Sequence, residues 1–99
     1  MQPAGSALPE VLGELLRAVP SDEAVRLAWP LVCGAKVAAR TLPLEFSGGV
    51  LRVGVPDRAW CGQLAELELR YRQEFARLLG SEIVRQIVFV ESPSLGFRA

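Results

Sequence analysis

A chain of 99 residues that is 51% hydrophobic, 22% charged and formally neutral has the make-up of one globular domain rather than of a disordered segment. Zero net charge excludes strong whole-chain attraction to nucleic acid, so any such binding needs a local basic patch. No apolar run approaches the roughly 18 residues of a membrane span. The start, MQPAGSALPE, has no basic residue ahead of its first apolar stretch, unlike a signal peptide, so the expected compartment is the cytoplasm.

The first predicted helix covers LPEVLGELLRAV, with Pro9 in its first turn and Leu8, Val11, Leu12, Leu15 and Leu16 on its apolar face. Pro20 stops it. Ser21 caps a second helix whose Asp22 and Glu23 suit the positive end of the helix dipole. Its inward positions are Val25, Trp29, Val32 and Val37, with Leu27 a further candidate. Pro30 removes a backbone donor and crowds the preceding turn, which predicts a kink or break near Trp29. Gly34 suggests a close approach by a neighbouring element.

RTLPLEF reads as a short strand with Leu42, Leu44 and Phe46 on one face. SGG (47–49) then separates it from the alternating strand Val50–Val55, a hairpin signal. A long third helix is predicted from Arg58 to Leu79, with Asp57 as N-cap and Gly80 just past its end. EIVRQIVFVE makes the last strand. The predicted order is α-α-β-β-α-β, an α+β fold with a three-stranded sheet and helices mainly on one face. The helix between the second and third strands requires those two to run parallel. The ordered core spans about residues 8–91 of a single domain over 1–99, with 92–99 a loose tail.

Catalytic chemistry finds little support. Without histidine the usual nucleophile–base pairing is missing, and so is the commonest metal ligand. GAKVAAR lacks the second glycine and the Lys-Ser/Thr step of a phosphate loop. The carboxylates fall at helix spacing (Glu66–Arg70, Glu68–Arg72, Arg70–Glu74), which reads as surface pairing. Cys33 and Cys61, 28 positions apart, read as buried thiols rather than a disulfide or metal pair. No enzyme activity, cofactor, metal site or small-molecule substrate is expected.

Three stretches carry a resemblance when taken together: AWPLVCGAKVAARTLP, GGVLRVGVPDRAWCGQL and LLGSEIVRQIVFV. Their marks are Trp29, Val32, Gly34 and Thr41, then Gly49, Val53 and Trp60, then Gly80, Val84 and Phe89. The chain resembles the DciA family of bacterial replication proteins over about residues 8–91. The resemblance implies a K-homology-like fold and a partner, the hexameric replicative DNA helicase, whose loading or action on DNA members assist. It also implies DNA binding, here weak and salt-dependent given the neutral charge. The GxxG loop that clamps nucleic-acid backbone in true K-homology domains is absent, so the helicase role is the firmer expectation. The other class of function is a module that binds RNA or single-stranded DNA independently of helicase.

The candidate residues follow. Trp60, Leu64, Leu67, Tyr71, Phe75 and Leu78 fall within about 80° on one helical wheel, so Trp60 heads a buried stripe as a core anchor, and Trp29 is a second anchor. Leu69 lies about 180° from Trp60 on the same wheel, among Gly62, Ala65 and Ala76. It is either an ordinary exposed leucine or the receiving point for a partner helix. Lys36 and Arg40, four apart on the second helix, form with Arg52 on the hairpin the local patch for nucleic acid. Arg70 and Arg77 are alternatives offset by neighbouring acids.

Overall fold

Alternation puts Leu51, Val53 and Val55 on one side of β2 (Val50–Val55), and all three are buried while Arg52 on the other side is exposed. A computed structural model describes residues 4–92, with side chains from residue 11 onward. The tail expected to be loose lies, beyond Ser92, outside the described residues. β2 is the middle strand of three. β1 (Leu42–Ser47) pairs with it antiparallel, and β3 (Gln86–Glu91) pairs with it parallel, as the intervening helical segment requires. The hairpin closes in two residues, Gly48 and Gly49, both at positive φ (59° and 83°). Only glycine adopts that conformation freely, and its twist matches that of the flanking strands.

The expected single face of Leu42, Leu44 and Phe46 does not form. Pro43 stands opposite Val53 and Phe46 opposite Leu51, but a bulge at Leu44 shifts the register between them. One extra residue flips every side chain before it to the opposite face. Leu42 is therefore exposed, and Pro43 takes its place over the core side.

The helices differ from expectation in three ways. α1 (Ala4–Arg17) buries Leu16 and half-buries Leu12, while Val11 and Leu15 are 50% and 62% exposed. The reason is Gly13. A Cβ there would lie 2.5 Å from the Leu78 carbonyl oxygen, so α1 turns its glycine onto its neighbour, and this rotates Val11 and Leu15 outward. α2 (Ser21–Cys33) continues through Pro30, with no break at Trp29. Its buried side (Ala24, Val25, Ala28, Trp29, Val32) holds it against the core while Pro30 points to solvent, and tertiary burial outweighs the local cost. The break comes at Gly34, which has open space around its Cβ position and φ of 90°. The residue is needed for its backbone conformation, not for a close approach. α3 (Ala35–Ala38) follows as a separate turn.

The predicted third helix is also two. α4 (Arg58–Ala65) starts at Asp57, whose Oδ1 accepts the Trp60 backbone N–H at 3.0 Å. α5 (Glu68–Leu79) ends at Gly80 in the left-handed conformation. The observed order is thus α-α-α-β-β-α-α-β, an α+β fold. The single wheel over 58–79 fails at the junction, where Leu67 is exposed, whereas Leu64, Tyr71, Phe75 and Leu78 are buried.

Trp29 is 1% exposed and gathers the core. Tyr71 meets it edge-on, Phe75 stacks at 6.2 Å and Phe89 lies tilted at 6.3 Å. Its Nε1–H donates to Thr41 Oγ1 at 2.9 Å, and that hydroxyl donates to the Val37 carbonyl at 2.8 Å. This chain satisfies a buried indole as its burial demands. Trp60 packs against the same cluster but is only partly buried.

Candidate functional site

β3 begins beside the start of α5. Glu68 Oε2 accepts the Ile87 backbone N–H at 2.9 Å and lies 2.8 Å from Arg72 Nε, so one carboxylate ties the helix to the strand. Next to this tie, α5 and the loop leading into β3 enclose an open groove of about 350 Å³. Leu69, Ala76 and Val84 supply its apolar surface, and Arg72, Gln73, Glu82 and Arg85 its polar groups. Leu69 is 56% exposed. The small neighbours assigned to it on a continuous wheel are regrouped, because Gly62 and Ala65 belong to α4 and only Ala76 stays beside it.

Arg85 forms no ion pair among the described residues. Its stem lies across Gly49, where a Cβ would come within 3.1 Å of the arginine Cδ. Its own N–H donates to the Gly49 carbonyl at 2.7 Å. The hairpin turn and the loop before β3 thus hold each other. Sequence reasoning placed Val84 and Arg85 inside a strand that in fact starts at Gln86, and so missed them as groove residues. The local signal was Gly49, since a glycine opposite a long side chain permits close backbone approach.

The basic residues picked out for nucleic acid come from three separate places. Lys36 lies on α3, Arg40 follows that helix in a turn, and Arg52 lies on the outward face of β2. Lys36 and Arg40 do not share the second helix, because Gly34 ends it. Arg52 Nη1 sits 3.0 Å from Glu45 Oε1, its cross-strand neighbour, so its charge is already partnered. Lys36 and Arg40 form no ion pair among the described residues. Of the alternatives, Arg77 pairs with Glu74 at 2.7 Å. Of the three acid–base pairs read at helix spacing, only Glu68–Arg72 forms.

Both cysteines are free and half-buried. Burial pushes the Cys33 thiol up to about 12, partly opposed by its backbone hydrogen bond. Burial also raises Cys61, helped by the nearby Glu91 and Asp57 carboxylates and opposed by Arg58. At pH 8 Cys33 therefore carries about a thousandfold less thiolate than an open cysteine. We expect slow alkylation of both thiols by iodoacetamide in the native chain and fast alkylation in urea; equal rates in the two conditions would contradict this. The thiols of the unfolded chain ionise first as pH rises, so folding stability declines from about pH 9 upward.

The family described as "Dna[CI] antecedent, DciA" matches residues 3–89. No curated protein resembles the chain closely enough to count as a match.

Proposed function

The chain belongs to the DciA family, which is tied to replicative helicase loading, and from that premise we propose that it is a non-catalytic accessory protein that binds the replicative DNA helicase and assists its loading or activity in the cytoplasm. The observation that carries this reading is the family match over residues 3–89. The surface agrees with a binding role. Leu69, beside the groove on α5, is 56% exposed, an apolar side chain that a partner can cover.

The direct test mixes the purified chain with the replicative helicase of its own cell, with nuclease and with or without single-stranded DNA. Association that survives nuclease supports the reading. Binding to nucleic acid without any helicase association would favour the alternative, an independent RNA or single-stranded DNA module.

DNA contact, where it occurs, falls to Lys36, Arg40 and Arg52. About three phosphates neutralised on a single strand correspond to a log–log salt slope near −2, at about −0.7 per contact. Reversing Arg40 and Arg52 to Glu should flatten that slope and abolish DNA binding at moderate salt while helicase association persists. DNA binding unchanged by the reversal would rule this patch out. Arg52 must leave Glu45 to reach a phosphate, so Arg40→Glu alone should have the larger single effect.

A further inference from the structure

We propose that the groove between α5 and the loop before β3 is the docking site for an amphipathic helix of the partner that sets a carboxylate on Arg85, an inference that rests on the helicase reading above. Three observations lead to a helix carrying a carboxylate. Leu69 is exposed and Ala76 half-buried along the side of α5, with the buried Val84 also lining the groove, an apolar strip that the apolar face of a partner helix can cover. The strand beside it does not offer its backbone at this point, since the Ile87 N–H is already taken by Glu68; an extended segment adding to β3 finds that donor occupied. With Arg72 held by Glu68, the rim keeps one cation that has no acidic partner among the described residues, Arg85, and one carboxylate, Glu82.

The two guanidinium groups are not equivalent. Glu68 Oε2 stands against Arg72, so Arg72 brings a partner little unspent charge. Arg85 has no acidic partner among the described residues, and its stem lies across Gly49. An unpaired guanidinium presents a planar fork to a carboxylate. Glu82 lines the same groove without closing on Arg85. It sets the polarity of the occupant by disfavouring an acid at its own position.

The test measures affinity between the purified chain and the replicative helicase for Leu69→Asp, Arg85→Glu and Arg85→Lys, with Leu15→Asp and Leu27→Asp as exposed-leucine controls elsewhere. Leu69 and Arg85 are both exposed, and thermal melts check that each variant folds. We expect Leu69→Asp and Arg85→Glu each to weaken binding at least tenfold, Arg85→Lys to bind between the native chain and Arg85→Glu because the charge stays while the planar fork is lost, and the controls to bind normally. The Arg85→Glu loss should grow at low salt, where like-charge repulsion is least screened. Normal binding by both groove variants overturns the groove and leaves the helicase reading standing. So does a loss confined to the controls. Tighter binding by Arg85→Glu means a basic occupant and overturns the proposal. A native chain that does not bind helicase at all overturns this proposal and the reading beneath it together.

Discussion

Replacing Trp29 by alanine is expected to cost about 3–5 kcal/mol. That is a large share of the roughly 5–15 kcal/mol that holds a domain of this kind together. The indole is 1% exposed and touches Tyr71, Phe75 and Phe89 at once, so its removal leaves a cavity bounded by α5 and β3, which cannot both collapse into it. A fall in Tm of more than about 10 °C follows, and a thermal melt followed by circular dichroism measures it. The polar end of the ring can be tested apart from its bulk. Thr41→Val keeps the volume but strands the buried Nε1–H, at about 1–3 kcal/mol. In Trp29→Phe, where no N–H remains to be satisfied, the same threonine change should cost clearly less. A loss below about 1 kcal/mol for Trp29→Ala would show that the cluster is not the centre of the core.

The second large effect is at Gly13. In an exposed helix position, Gly→Ala gains about 1 kcal/mol from helix propensity. Gly62 in α4 has nothing within 4 Å of its Cβ position, so Gly62→Ala should show that gain. At Gly13 the added methyl would lie 2.5 Å from the Leu78 carbonyl oxygen. That oxygen is helix backbone and does not move aside as a side-chain tip would. Overpacking typically costs about 1–3 kcal/mol, so Gly13→Ala should reverse the sign and destabilise. Urea denaturation of the two variants side by side decides it; equal stabilisation would mean that α1 is free to shift along α5.

Much of the fold was legible because local rules and packing agree there. The two glycines of the hairpin, the alternation of β2, the Asp57 cap and Gly80 each follow from backbone geometry that few other residues satisfy. The parallel pairing of β3 followed from the length of the connection. What was not legible arose where periodicity continues through a break. The apolar spacing from Leu64 to Leu67 to Tyr71 is that of one helix, and nothing in it marks the end of α4 at Ala65. The bulge at Leu44 is likewise silent, since the residues on either side still alternate on paper. Val11 and Leu15 fit the apolar stripe of α1 as well as Leu12 and Leu16 do, and only the contact at Gly13 decides between them.

The candidate groove was partly legible. Leu69 stood out as apolar and unlikely to be enclosed, but its true neighbours, Val84 and Arg85, are reached only through the tertiary fold. Lys36 and Arg40 looked adjacent because they are four apart. α3 ends at Ala38, however, and Arg40 falls in the turn beyond it.

The unequal burial of the two indoles has a use at the bench. The protein has two tryptophans, one sealed among aromatic rings and one at the margin of the core, so its intrinsic fluorescence separates into two channels. Emission from the sealed ring stays blue until the whole chain opens. The marginal ring, on the first turn of α4, responds to water and quenchers while the chain is still folded. A Trp60→Phe chain thus reads global unfolding alone, and a Trp29→Phe chain reads the surroundings of α4 without an added dye.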